Sequence, residues 1–177
     1  MRLGQGVGAN DAELVLRGLP SIDDFRFCYK LGATLFQGPF VTSREDWREH
    51  VFGYACLMDM VVRGREERVF RKAYDSFCPV GPWVVTADEV GDPTQLEMKL
   101  WVNGELRQHA NTRDLVLDIP GMVEMASAVM TLYPGDIIAT GTPAGVGLGL
   151  DPPQFLRHGD LVRIEIDGIG TLENRFV

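Results

Sequence analysis

The sequence predicts a mainly β fold of the α+β class with a few short helices. Glycine (20 residues) and proline (10 residues) recur at intervals along the chain of 177 residues and divide it into short elements. The clearest of these elements alternate apolar and polar residues, as strands with one buried face do. Two of them flank Asn103-Gly104, a pair that favours a tight β-hairpin because both turn residues need positive φ.

The first predicted elements are one helix and one hairpin. Ser43 followed by Asp46 resembles a capping box, so we expect a short helix from there to about His50. The hairpin combines residues 96–102, whose apolar side chains share one face at period two, with the returning residues 105–108.

The second half of the chain contains another helix, a strand and a last hairpin. We expect the helix from about Pro120 to Met130, because proline suits a first helical turn. A strand is expected over Asp136–Thr140, and the final hairpin pairs residues 161–166 with residues 170–176. The apolar residues of the helix share one face, which we expect in the core: Met122, Val123, Ala126, Val129 and Met130.

Composition limits the classes of function. Lys and Arg number 17 against 25 Asp and Glu, a net charge of −8, so the overall field disfavours nucleic acid and anionic membranes. No apolar stretch approaches the roughly 20 residues of a membrane helix, and the first residues lack the apolar region of a signal peptide. The three cysteines, Cys28, Cys56 and Cys78, lack zinc spacing and are interpreted as buried thiols. We therefore expect a cytoplasmic protein.

Domain organisation is expected to be simple. Residues 1–177 are interpreted as one domain, because no linker or internal repeat is visible. Residues 1–20 are poorly patterned, since four of them are glycine, and residues 21–177 would form the core.

The most informative motif lies within residues 131–147. The expected strand there runs into a loop that contains several glycines, which let a backbone approach a ligand closely. The hydroxyls of Thr140 and Thr142, on either side of Gly141, are donors suited to a carboxylate or enolate oxygen. No Gly-Lys-Ser/Thr follows, so this is not a phosphate-binding P-loop. A plain turn between strands is the alternative interpretation.

Five stretches, in order, resemble the C-terminal catalytic domain of the fumarylacetoacetate hydrolase family, and we expect the resemblance to cover residues 43–177. They are residues 51–59, 71–82, 100–108, 131–147 and 159–162. The resemblance implies a mainly β domain with a coiled mixed sheet, a β-roll, that is usually dimeric. We therefore expect a homodimer.

The resemblance also implies an activity. Members of this family act on small anionic 2-oxo or enol (β-diketone) carboxylic acids by C–C hydrolysis, decarboxylation or isomerisation through an enolate. An Mg²⁺ or Mn²⁺ ion, chelated by substrate oxygens, stabilises that enolate. The family holds the ion with a Glu-x-Glu on one strand and an Asp on a later one.

Several residues of this chain match the family's site. Asp59 corresponds to the third metal ligand, Arg63 to the substrate-contacting Arg that follows it, and Lys72 to the active-site lysine. Thr142 corresponds to the catalytic loop threonine, and Glu66 stands in place of a substrate-binding Gln. Taken without the resemblance, Asp59 and Arg63 are four residues apart and could form a simple ion pair.

The sequence also departs from the family at the metal site. The Glu-x-Glu position falls on Asp24-Phe25-Arg26, so Asp24 keeps a carboxylate but Arg26 is a cation that cannot ligate a metal. We also expect the catalytic His–Glu pair of the family's N-terminal lid to be missing, because the first histidine in the sequence is His50.

Three interpretations follow from these departures. The first is a metal enzyme that uses Asp24 and Asp59, completed by Glu13 or Glu66. The second is a metal-free enzyme in which Arg26 takes the place of the ion. Such an enzyme would bind an oxo acid through Arg26, Arg63 and Lys72. The third is a non-catalytic relative retained for anion binding or assembly.

Overall fold

Eight β-strands and three short α-helices occur in the part of the chain that the computed structural model describes, namely residues 15–17, 35–37 and 42–177. The strands are β1 (Val15–Arg17), β2 (Leu35–Gln37), β3 (Gly53–Leu57), β4 (Val80–Thr86), β5 (Glu97–Val102), β6 (Glu105–Asn111), β7 (Leu161–Ile166) and β8 (Gly170–Arg175). The helices are α1 (Arg68–Lys72), α2 (Ala87–Val90) and α3 (Ile119–Val129).

The strands form one larger sheet and two pairs. The larger sheet is antiparallel throughout, with the strand order β6-β5-β7-β8. β3 and β4 form an antiparallel pair, and β1 and β2 form a parallel one. The prediction of a mainly β fold with few short helices is therefore confirmed.

Both predicted hairpins are present. β5 and β6 join at Asn103-Gly104, whose φ angles of 51° and 84° are both positive, as the pair predicts. β7 and β8 pair as predicted, from Leu161 opposite Arg175 to Ile166 opposite Gly170. These strands follow the sequence closely because alternation and turn residues are local signals.

The side chain of Asn103 links the two hairpins. Its Nδ2 donates to Asp160 Oδ1 at 2.8 Å, and its Oδ1 accepts from the backbone N–H of Leu161 at 2.9 Å. The hydrogen bond from Asn103 lowers the pKa of Asp160 below its usual value. This carboxylate therefore stays ionised and continues to accept the hydrogen bonds that stabilise its turn.

The main core lies between the β3–β4 pair and the β7–β8 half of the larger sheet. Cys56 and Met58 meet Val162 and Ile164 there, and all four are buried. Burial raises the pKa of the Cys56 thiol, which keeps it neutral and unreactive. The prediction of buried cysteines is wrong for Cys78, which is exposed.

The two predicted helices are confirmed in position, with differences in detail. The first is a single 3₁₀ turn, Trp47–His50, and Ser43 Oγ accepts from the N–H of Asp46 just before it. The second is α3, where Asp118 Oδ1 caps the end by accepting from the N–H of Gly121. No helix within the described ranges has the length and apolar character needed to cross a bilayer.

The prediction that the apolar face of α3 is core is only half right. Val123 is buried beside Trp47 and Ile119, whereas Val129 is 74% exposed and Met130 is also exposed. The helix thus leaves the core at its C-terminal end, which periodicity within one helix cannot reveal.

The predicted strand over Asp136–Thr140 is wrong. Asp136 instead closes a tight turn, because its Oδ2 accepts from the N–H of Tyr133 at 2.7 Å. Residues 137–140 follow without strand pairing to any described residue, and Ile137 is 65% exposed. A strand forms only when it pairs with another strand, and the sequence of the segment alone does not reveal whether such a partner exists.

Candidate active site

The segment that joins β3 to β4 carries four of the predicted site residues, namely Asp59, Arg63, Glu66 and Lys72. The antiparallel pairing of these strands continues irregularly into it, since the N–H of Met60 donates to Phe77 O at 2.9 Å and that of Val62 to Arg71 O at 3.0 Å. Arg71 secures the far end, because its guanidinium donates to Glu66 O and Val62 O. The two sides of the segment are therefore held next to each other.

This backbone pairing brings Lys72 to Asp59. The Lys72 ammonium donates to Asp59 Oδ2 and forms an ion pair with it. Both side chains remain partly exposed, at 35% and 41%. Such a pair adds at most about 1 kcal/mol to stability, so its charges remain available to a ligand. Lys72, not Arg63, is thus the partner of Asp59, and the simple Asp59–Arg63 ion pair is wrong.

Arg63 instead contacts Phe155, in the segment that follows the glycine-rich loop. Its guanidinium lies over the ring of Phe155, 5.1 Å from the ring centroid, a cation–π contact. Phe155 follows Gln154, whose N–H donates to Gly147 O at 2.9 Å and so folds the loop back on itself. Arg63 therefore links the segment that carries Asp59 and Lys72 to the loop that carries Thr142.

The loop itself rests on β6. Gln108 Nε2 donates to Thr142 Oγ1 at 2.9 Å and to Pro143 O at 3.1 Å. Gly145 has φ of 102°, and a Cβ built there would overlap the carbonyl oxygen of Arg107. Only glycine permits this close approach of the loop to the strand.

The other predicted site residues divide into two groups. Glu66, Thr140 and Gly141 are exposed, with Glu66 in the turn before α1 and the other two just before Thr142. Asp24 and Arg26, like Glu13, lie outside the described residues, so their predicted roles stay predictions.

The described residues supply one plausible metal ligand. Asp59 has the hard oxygen donors that Mg²⁺ and Mn²⁺ prefer, and the Lys72 ammonium shows that it attracts a cation. Within residues 42–177, however, no three His, Cys, Asp or Glu side chains cluster closely enough to hold an ion. Asp59 therefore fits a metal site only if further ligands come from outside the described residues.

Two open depressions lie elsewhere on the surface. One, of about 430 Å³, is lined by Arg113 and Asp118, and the other, of about 480 Å³, by Trp83 and Glu165 among others. Asp59, Arg63, Lys72 and Thr142 line neither. The chemistry of the matched residues, rather than cavity shape, identifies the candidate site.

Sequence reasoning missed three residues that organise this site. Arg71, Gln108 and Phe155 each hold a predicted residue or its backbone in place. Gln108 is the last residue of one of the stretches that match the family. The alternating pattern there predicts only that Gln108 lies in a strand, not that it contacts Thr142. Nothing in the sequence signals that Phe155 lies under Arg63.

Comparison with known proteins identifies the family of this chain. The family model described as fumarylacetoacetate (FAA) hydrolase C-terminal matches residues 23–177. The oxaloacetate tautomerase YisK of Bacillus subtilis is 46% identical over 137 residues, which cover 75% of this chain and 46% of that protein.

Two solved structures are also similar. The maleylpyruvate hydrolase of Sphingobium sp. SYK-6, in complex with manganese(II) and pyruvate, is 66% identical with a TM-score of 0.70, covering 77% of this chain and 48% of its own. The 2-hydroxyhepta-2,4-diene-1,7-dioate isomerase of Mycobacterium marinum is 43% identical with a TM-score of 0.69, covering 77% and 52%. The chain thus spans about half the length of these relatives, which are enzymes by name. It belongs to the fumarylacetoacetate hydrolase family, and the match is to that family's C-terminal domain.

Proposed function

We propose that this chain carries the active site of an enzyme that acts on a small 2-oxo or enol carboxylic acid. The reaction would be C–C hydrolysis, decarboxylation or isomerisation through an enolate. The ion pair between Lys72 and Asp59 carries the proposal, because it places a solvent-accessible cation beside a carboxylate at two positions that match the family's site. Maleylpyruvate and oxaloacetate, which two relatives' names carry, are the first candidate substrates.

Each side chain has a proposed role. Lys72 and Arg63 would hold the substrate carboxylate, since both are cations on one segment and Lys72 is partly exposed. Thr142 would orient the substrate by a hydrogen bond, with Thr140 and Gly141 beside it in the loop. Arg26 and Glu66 would contribute further substrate contacts.

We propose that Asp59 and Asp24 hold Mg²⁺ or Mn²⁺. The manganese in a relative that is 66% identical supports this choice of ion. When bound, the ion supplies positive charge that stabilises an enolate oxygen. Lys72 would then exchange its contact with Asp59 Oδ2 for one with the substrate carboxylate.

A metal-free site is the second candidate. The Lys72 ammonium already balances the charge of Asp59, so this carboxylate needs no ion for neutrality. Arg26, Arg63 and Lys72 would then bind the anion and stabilise its enolate. A binding protein without catalysis would use the same three cations.

Calorimetry with manganese(II) chloride, followed by pyruvate, distinguishes these candidates. We expect the wild type to bind manganese and Asp59→Asn to lose at least about tenfold in affinity, because one charged ligand is removed. Asp114→Asn, at an exposed carboxylate far along the chain, is the matched control and should bind like the wild type.

The other outcomes have definite meanings. Pyruvate binding without manganese, lost in Lys72→Met, would favour the metal-free site. Manganese binding only in Arg26→Glu would show that Arg26 replaces a ligand. No binding of either probe by any variant would contradict the proposed function.

We also propose that residues 1–177 form one domain, which assembles as a homodimer in the cytoplasm. Exposed large apolar side chains support the dimer, since Phe52, Val69 and Phe70 are each more than 70% exposed in one chain. The free thiols of Cys56 and Cys78 suit a reducing compartment. Sedimentation equilibrium should give twice the mass of one chain, and the mass of a single chain would contradict the dimer.

A further inference from the structure

The side-chain amide of Gln108 lies beneath the loop that carries Thr142. Gln108 is on β6 and is 7% exposed, so the orientation of its amide is set by protein contacts and not by solvent. Its Nε2 has two contacts, Thr142 Oγ1 at 2.9 Å and Pro143 O at 3.1 Å.

The contact with Pro143 fixes which end of the amide faces the loop. A carbonyl oxygen can only accept a hydrogen bond, so the atom that faces it must be the NH₂ nitrogen. The second hydrogen of this NH₂ group is then directed to Thr142, whose Oγ1 accepts it. The hydroxyl of Thr142 has a single proton, which is left for another partner.

A β-bulge in β6 sets this arrangement. Leu100 pairs with Gln108 and Trp101 pairs with Leu106, so Arg107 is an extra residue on that strand. Bulges redirect neighbouring side chains and backbone groups. Here the carbonyl of Arg107 faces Gly145 while Gln108 faces Thr142, and both contacts hold the same loop.

We infer that Gln108 is a positioning residue that directs the hydroxyl proton of Thr142 to the bound ligand. This arrangement favours a hydrogen-bond acceptor of the ligand at Thr142, such as a carboxylate or enolate oxygen. This inference rests on the proposed function, because it assumes that an oxo acid binds beside Thr142.

A double-mutant cycle tests the inference, with calorimetric affinity for pyruvate in the presence of manganese(II) as the readout. Gln108→Glu places an acceptor beneath Thr142 and takes up its proton, so we expect affinity to fall about tenfold to a hundredfold. Gln108→Met only removes the donor, leaving the hydroxyl free to rotate, so its loss should be smaller.

The cycle is completed in Thr142→Val, which has no hydroxyl to orient. In that background, Gln108→Glu should change pyruvate affinity less than about twofold, because its effect acts through Thr142. Equal losses in both backgrounds would overturn the inference, since Gln108 would then act independently. Thermal unfolding of each variant identifies any affinity loss that is caused by misfolding.

A spectroscopic measurement separates this inference from the proposed function. In ¹⁵N NMR spectra of the ligand-free wild type, the Gln108 side-chain NH₂ protons should exchange slowly with solvent, and Thr142→Val should shift their resonances. Fast exchange, or resonances that Thr142→Val leaves unchanged, would overturn the inference even if pyruvate binds. Slow exchange with the expected shift supports the Gln108–Thr142 contact even if the wild type binds no pyruvate, which would contradict the proposed function alone.

Discussion

Replacing Lys72 with methionine is expected to lower kcat by about a hundredfold to a thousandfold, as removal of one charge-stabilising group from an active site does. Methionine keeps much of the length of lysine and removes only the ammonium that contacts Asp59. Steady-state kinetics with whichever candidate substrate the wild type converts will measure the effect.

The stability of this variant should hardly change. The Lys72–Asp59 pair is partly exposed, so its loss costs at most about 1 kcal/mol of unfolding free energy. Lys99→Met on β5 is the matched control, since it also removes one ammonium, and it should keep the wild-type kcat. If the Lys72→Met variant were as active as the Lys99→Met variant, Lys72 would have no role in the proposed reaction.

Replacing Gly145 with alanine is expected to detach the glycine-rich loop from β6. The new Cβ would overlap Arg107 O and lie 3.1 Å from Gln108 Cγ, so the loop or the strand must move. Overpacking of this kind costs about 1–3 kcal/mol, which urea unfolding will measure. Because Thr142 would leave Gln108, we also expect weaker pyruvate binding.

Gly135→Ala is the control for backbone strain. Gly135 has φ of 99°, close to the 102° of Gly145, but a Cβ there meets nothing within 4 Å. Both variants adopt the same unfavourable φ, and only Gly145→Ala has the steric overlap. Equal losses of stability in the two variants would mean that the contact with Arg107 has no energetic importance.

The elements that could be predicted from sequence are those with local signals. The hairpins at Asn103 and Asp167 depend on turn residues and alternation, and both are present. The prediction of a strand over Asp136–Thr140 failed because strand pairing depends on a partner that is distant in sequence. The prediction that Val129 is buried failed for the same reason, since the burial of a helix face depends on what packs against it.

The candidate site was predictable in its residues but not in their contacts. The match to a known family identified Asp59, Arg63, Lys72 and Thr142, while spacing suggested that Asp59 pairs with Arg63. Lys72 takes that place because the backbone pairing around Met60 and Phe77 folds the segment back on itself. No periodicity in the sequence encodes such a contact, nor the one between Gln108 and Thr142.

The sheet order β6-β5-β7-β8 has a consequence for folding kinetics. Each hairpin closes over a few residues and can form early, whereas pairing Val102 with Val162 closes a loop of 162 − 102 = 60 residues. Long loops lose conformational entropy before their contacts compensate for it, which slows this step. The candidate site also has a long-range contact, between Arg63 and Phe155, so we expect ligand binding in refolding to appear after the hairpins.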